Sequence, residues 1–181
     1  MSAETNKISL ATVWLDGCSG CHMSFLDIDD RIIELAEKVD LVYSPLVDIK
    51  TFPESVDVTL VEGAVANEGD LHKIIRVRQH TKTLVSLGDC AVTANVPSMR
   101  NPFALQAIFA RAYSETVTLN PQVPSQVVPP LLPFVRPVHE VVNVDVFVPG
   151  CPPSADVIYF VLTELLAGRT PELSALTRFG A

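Results

Sequence analysis

The chain has four cysteines, and each stands just past an apolar run that ends at a glycine turn. Cys18 and Cys21 form a C-x2-C pair inside Trp14-Leu15-Asp16-Gly17-Cys18-Ser19-Gly20-Cys21-His22. Cys90 follows Leu84-Val85-Ser86-Leu87-Gly88-Asp89, and Cys151 follows Val146-Phe147-Val148-Pro149-Gly150. Thiolates are soft anionic ligands, and four of them complete the coordination of a [4Fe–4S] cluster with none left over. A close pair followed by two distant singles differs from the compact ferredoxin runs. It suits ligands delivered by separate loops of an α/β sheet, whose strand ends share one edge. Gly17, Gly20, Gly88 and Gly150 are then the residues that turn the chain tightly beside a ligand, and N–H groups in those turns are natural donors to sulfur.

Other chemistries use similar residues. Cys18-Ser19-Gly20-Cys21-His22 fits the C-x-x-C-H haem-attachment pattern, although such haems are attached outside the cytosol and no export signal precedes the motif. A thioredoxin-like dithiol would leave Cys90 and Cys151 unexplained. Structural zinc takes four thiolates, usually as two close pairs. Four unrelated buried cysteines would have no reason to follow glycine turns. His22 reads as a hydrogen-bonding or packing residue near the site, and Trp14 as a core residue. Glu62, at the end of another strand, either faces the site or a partner and assists proton movement, or caps the following turn.

The elements that must position these groups alternate. Residues 7–15 read as a strand, followed by a helix over 24–38 with Ile28, Ile32, Leu35, Ala36 and Val39 on one stripe. Strands are expected over 40–46, 56–61 and 83–87, with a helix around Leu71, Ile74, Ile75 and Arg78 between the last two. A helix over 102–113 precedes a proline-rich arm, 115–138, which is expected to be extended and to be either a functional loop or interface or a surface arm that wraps its own domain. A last strand, 141–148, leads to a helix capped by Ser154 and closed by Gly168. This rhythm predicts a single domain over 1–181: a three-layer, flavodoxin-like α/β fold with a mostly parallel sheet and the thiols at the C-terminal ends of its strands.

The totals restrict the partners. A net charge of −8 repels nucleic acid and anionic membrane surfaces, leaving proteins or small molecules. No basic leader, twin arginine or spanning apolar run is present, so the expected location is the cytoplasm, where four cysteines read as ligands rather than disulfides.

The segments Trp14–Cys21, Val61-Glu62-Gly63, Gly88-Asp89-Cys90-Ala91 and Pro149-Gly150-Cys151-Pro152-Pro153 resemble, in order, the cluster-binding domain of [NiFe]-hydrogenase small subunits over residues 8–168. That superfamily includes the 20 kDa iron–sulfur subunit of complex I, which has adjacent cysteines where Ser19 and Gly20 here intervene. The lack of a leader and of further cysteines makes the chain most similar to the short small subunit of the cytoplasmic, bidirectional NAD-reducing hydrogenases. The resemblance implies one proximal [4Fe–4S] cluster on Cys18, Cys21, Cys90 and Cys151. It also implies a large subunit holding the Ni–Fe centre, diaphorase subunits carrying further clusters and FMN, and hydrogen-dependent NAD reduction with no catalytic residue on this chain. An iron–sulfur subunit of a complex I-like, quinone-reducing assembly is the alternative. A flavin on this chain is not expected, because Cys18 and Cys21 occupy the loop that would cradle its phosphate.

Overall fold

A computed structural model describes residues 7–180. The first apolar run forms β1 (Ile8–Trp14). Its alternate side chains divide between two cores, Leu10 into one and Ala11 and Val13 into the other, as the period of a strand requires. After the first cysteine loop come α1 (Gly20–Leu26), α2 (Arg31–Ala36) and β2 (Val39–Tyr43). Next are β3 (Val56–Glu62), the short β4 (Val65–Asn67), α3 (Glu68–Gln79) and β5 (Thr81–Leu87). Cys90 lies on α4 (Asp89–Thr93), and α5 (Leu105–Ala110), β6 (Leu131–Arg136), β7 (Val146–Val148) and α6 (Ala155–Leu166) complete the chain.

Five strands lie in the order β2-β1-β3-β5-β7 with every pairing parallel, which is the flavodoxin-like order the sequence predicts. On one face, Phe25 of α1 and Val157, Ile158, Val161 and Leu162 of α6 cover Leu10, Leu60, Val85 and Val148. On the other, Ile74 and Val77 of α3 cover Val13, Val61 and Leu84. Each completely buried aliphatic side chain removes about 1.5–3 kcal/mol worth of apolar surface from water, so these two faces fix the sheet between its helix layers. Among the described residues, no helix is long and apolar enough to cross a membrane.

Several boundaries differ from the sequence reading. The helix expected over 24–38 is two short helices. Asp29 adopts a left-handed conformation (φ 61°) that ends α1 and re-aims the chain, so Ile28 and Leu35 reach the core from separate elements. The helix also begins earlier, which places Cys21 and His22 on it. The helix expected over 102–113 starts at Leu105 and passes into a wider π turn at Arg111–Glu115. The arm over 115–138 is not unpaired throughout. Its second part supplies β6, which pairs antiparallel with β4, and Val135 and Val138 are buried; Leu119, Val123 and Val128 stay exposed. The last strand is only Val146–Val148. Residues 138–140 form a 3-10 turn, and Asp145 begins the pairing by exchanging hydrogen bonds with Leu84 through its N–H (3.0 Å) and carboxylate (2.7 Å). The Ser154 cap is present, its hydroxyl accepting from the Val157 N–H, and Gly168 closes α6 at φ 70°.

At the opposite end of the sheet from the cysteines, Asp57 ties β3 to β1. Its carboxylate accepts from the Ser9 N–H (2.9 Å) and hydroxyl (2.7 Å), while Ser9 Oγ accepts from the Asp57 N–H (2.9 Å). Hydrogen bonds from Lys82 and then Ser9 lower the Asp57 pKa to about 2. A carboxylate with a depressed folded pKa adds stability above its unfolded value of about 3.9 and loses it as pH falls toward 2. Asp57→Asn is therefore expected to lower stability at pH 7 by about 1 kcal/mol. The difference from the parent should shrink as pH falls below about 4 and continue to shrink through pH 2; urea melts across that range measure it, and a pH-independent difference would exclude the tie.

Candidate metal centre

Parallel register sets the positions of the cysteine loops. Trp14, Glu62, Leu87 and Val148 stand in one row across β1, β3, β5 and β7, and Cys18, Cys90 and Cys151 follow that row within four residues. The loops are then tied to one another. Gly88 N–H donates to Val148 O (2.8 Å), Asp89 N–H to Gly150 O (2.9 Å), and Gly150 N–H back to Asp89 Oδ1 (2.7 Å). Ser24 on α1 donates to Pro153 O (2.5 Å), joining the Cys21 helix to the exit of the Cys151 loop. Asp16 and Ala64 exchange both backbone bonds (3.0 and 2.8 Å), which anchors the turn before Cys18.

Two of the four predicted glycines are irreplaceable on local geometry. Gly88 has φ 81°, and a Cβ there would lie 2.2 Å from Cys21 Sγ. Gly150 has φ 134°, and its Cβ would meet the Pro153 backbone at 2.6 Å. Gly17 and Gly20 do not make the turn as expected: the left-handed residue between the paired cysteines is Ser19, φ 66°. They serve by being small, since a Cβ on Gly17 would come within 3.1 Å of Gly63 Cα and one on Gly20 within 3.2 Å of Cys18 Sγ.

All four cysteines are free thiols, Cys21 buried, Cys90 half-buried, Cys18 and Cys151 exposed. Burial raises the Cys21 pKa, and the negative charges of Glu62, Cys90, Cys18 and Cys151 raise it further. Burial also takes Cys90 to about 11, with Cys151, Cys18 and Glu62 adding to the rise against an opposing hydrogen bond from the Val96 N–H. Cys21 and Cys90 thus lie near enough to the other thiols for charge on those to disfavour their own thiolate forms. Other N–H groups point at sulfur, from Gly20 to Cys18 (3.4 Å) and from the Asn95 amide to Cys151 (3.8 Å). Gly20 is the glycine-turn donor the sequence suggests. Asn95 and Val96 carry no such signal, because they follow a left-handed Ala94 (φ 63°) that no sequence rule anticipates. Among the described residues, no three His, Cys, Asp or Glu side chains are close enough together to hold a single metal ion.

Glu62 is 2% exposed and faces this pocket rather than capping a turn. Its Oε2 accepts from the His22 N–H (2.9 Å) and meets His22 Nδ1. The opposite ring nitrogen, His22 Nε2, meets Thr12 Oγ1 (3.0 Å), and Thr12 bonds Ser44 (2.7 Å). The sequence separations of these pairs hide the line from any motif search. With both ring nitrogens engaged, His22 has no free nitrogen for a haem iron, which removes the C-x-x-C-H reading. Trp14 is not a core residue as expected: it is 44% exposed, its indole N–H reaching Gly17 O (3.3 Å) beside the first cysteine.

Known proteins resemble this chain in sequence and in fold. Residues 18–165 match the model of the NADH ubiquinone oxidoreductase 20 kDa subunit family. The chain is 42% identical to the delta subunit of the NAD-reducing hydrogenase HoxS of Cupriavidus necator, over 96% of this chain and 86% of that one. It is 36% identical to a subunit of the F420-non-reducing hydrogenase vhu of Methanocaldococcus jannaschii over 93% of its own length, but spans only 59% of that relative. A crystal structure of an NAD+-reducing [NiFe]-hydrogenase in the H2-reduced state contains a chain that superposes with a TM-score of 0.91 at 40% identity, covering 96% of this chain and 99% of that one. Fold, register and sequence thus agree, and the chain belongs to the 20 kDa-subunit family of NADH ubiquinone oxidoreductase, within it to the hydrogenase small subunits of the NAD-reducing type.

Proposed function

We propose that this chain is the electron-transfer small subunit of an NAD-reducing [NiFe]-hydrogenase, with Cys18, Cys21, Cys90 and Cys151 holding one [4Fe–4S] cluster. The observation that carries the reading is the convergence of the four cysteine segments on one sheet edge, where burial and neighbouring charge oppose the thiolate forms of Cys21 and Cys90. A cationic iron group reverses that balance, and its binding releases protons from the thiols. The donor set fits: four sulfurs face one pocket, yet no three ligand-type groups among the described residues close on a point as a single zinc ion requires. When bound, the cluster supplies one-electron chemistry at a potential set by its surroundings.

The protein's own residues do the rest. Gly88 leaves the space that lets β5 approach Cys21. The N–H groups of Gly20, Val96 and the Asn95 side chain reach Cys18, Cys90 and Cys151 respectively, and such donors offset sulfur charge and favour the reduced state. The backbone N–H and ring of His22 hold the Glu62 side chain in place. Electrons then pass between a Ni–Fe large subunit and a diaphorase module with its own clusters and FMN, all on partner chains in the cytoplasm. The exposed side of the site, with Cys18 and Cys151 open and Trp14, Val96 and Met99 uncovered, suits docking of such partners. The iron–sulfur role in a quinone-reducing, complex I-like assembly is the second reading, favoured by the family model that matches.

The content of iron, acid-labile sulfide and zinc tests the cluster, measured on protein purified without oxygen together with whatever co-purifies. About four irons and four sulfides on this chain are expected, and co-purifying nickel selects the hydrogenase over the quinone-reducing reading; zinc without sulfide would overturn both. Cys90→Ala is expected to abolish hydrogen-dependent NAD reduction in the assembled complex, and an unchanged rate would remove Cys90 from the ligand set. Gly88→Ala, which drives a methyl onto Cys21 Sγ, is expected to lose most of the bound iron even though all four thiols remain.

A further inference from the structure

Past α6 the chain does something the fold does not require. The helix starts at Ser154, next to the Cys151 loop, and its 12 residues carry the chain about 18 Å away. Gly168 turns it in a left-handed conformation (φ 70°), Arg169 pins the turn to Glu164 (2.8 Å), and residues 171–180 run back. Pro171 is buried and Leu173 packs against the core formed with α1 and α6. A single turn follows, with Leu176 and Thr177 N–H groups donating to Leu173 O (2.9 and 3.1 Å).

The returning segment makes two polar contacts at the ligand loops. Thr177 Oγ1 donates to Pro149 O (2.6 Å), and the Gly180 N–H donates to Asp89 Oδ2 (2.8 Å). Asp89 is 1% exposed, and a carboxylate so buried needs partners for both oxygens. Oδ1 takes the Gly150 N–H from the Cys151 loop (2.7 Å) and Oδ2 takes the tail. One side chain therefore joins three segments: its own Cys90 loop, the Cys151 loop and the tail.

We propose that residues 171–180 are a positioning clasp for the two single-cysteine loops, holding Cys90 and Cys151 at a fixed separation from outside the pocket. None of these residues is a ligand; Thr177 and the Gly180 N–H act through Pro149 and Asp89. The consequence for the cluster rests on the ligand reading proposed above, whereas the mechanical tie between the loops does not. A loosened pair of loops admits water and small molecules to the sulfurs and changes their hydrogen bonding, so both the retention of iron and its reduction potential should respond.

The test uses the full chain with its co-purifying partners, prepared without oxygen, as parent, Thr177→Val and Thr177→Ser. Valine keeps the shape and removes the donor; serine restores the hydroxyl. With a ferrous chelator as probe, Thr177→Val is expected to release iron about fivefold faster, the change that one lost hydrogen bond makes, and to shift the reduction potential of the cluster signal. Thr177→Ser should return both toward the parent. Equal release rates and potentials in parent and Thr177→Val would overturn the clasp. If no iron–sulfur iron is found on this chain, the ligand reading fails and hydrogen exchange decides the clasp alone. Faster exchange of the Gly150 amide in Thr177→Val, reversed in Thr177→Ser, supports it, and unchanged exchange refutes it.

Discussion

Negative charge is hard to keep in the pocket at the end of this sheet, and most of the local structure answers that constraint. Burial and the neighbouring thiols and carboxylate disfavour the charged forms of Cys21 and Cys90. Sulfur receives N–H donors from Gly20, Asn95 and Val96, and Glu62 is held by the backbone and ring of His22. None of these contacts is strong alone. Net hydrogen-bond contributions are near 1 kcal/mol, so they tune the pocket while the register of the strands creates it. A buried, unpaired carboxylate would cost far more than any one of them contributes. The His22–Glu62 pairing is therefore a condition for closing the sheet at that end, whatever else it does.

The cysteines, the glycines and the parallel order of the sheet were legible in the sequence because each follows from local pattern. Strand-length apolar runs ending in glycine mark sheet edges, and alternation of strand and helix selects a parallel sheet. Less was legible where one residue's backbone decided the outcome. Asp29 and Ser19 take left-handed conformations that aspartate and serine adopt only occasionally, so the break after α1 and the turn inside the cysteine pair carried no signal. The pairing of β4 with β6 joins a three-residue strand to a segment dense in proline, where neither partner shows a period long enough to read. The line from Glu62 through His22 and Thr12 to Ser44 connects residues from four parts of the chain, and only the folded sheet brings them together. Trp14 misled in the other direction: an aromatic ring at the end of an apolar run usually fills the core, but this one lies at the rim of the cysteine edge.

The two sides of the molecule carry different obligations. Next to β5 and β7, polar ties between loops dominate, through Asp89, Gly150 and Asp145. Around β4, β6 and the residues after Cys90 the interior is made of small side chains, Ala64, Ala66 and Ala94 with Val135. Arg100 and Asn101 bridge them by donating to the Ala66, Leu132 and Val135 carbonyls. That region contributes little hydrophobic area and holds its shape through backbone hydrogen bonds. It carries most of the exposed apolar residues of the proline-rich arm, together with α5, which buries none of its side chains.

The position of β7 gives the last cysteine the lightest support in the sheet. It is an edge strand of three residues, the last to leave the ribosome among those of the sheet, and it pairs only with β5. The other four strands pair with one another independently of it. Cys151 therefore reaches the cysteine edge behind three paired residues, whereas Cys18 and Cys90 each stand behind a strand of seven.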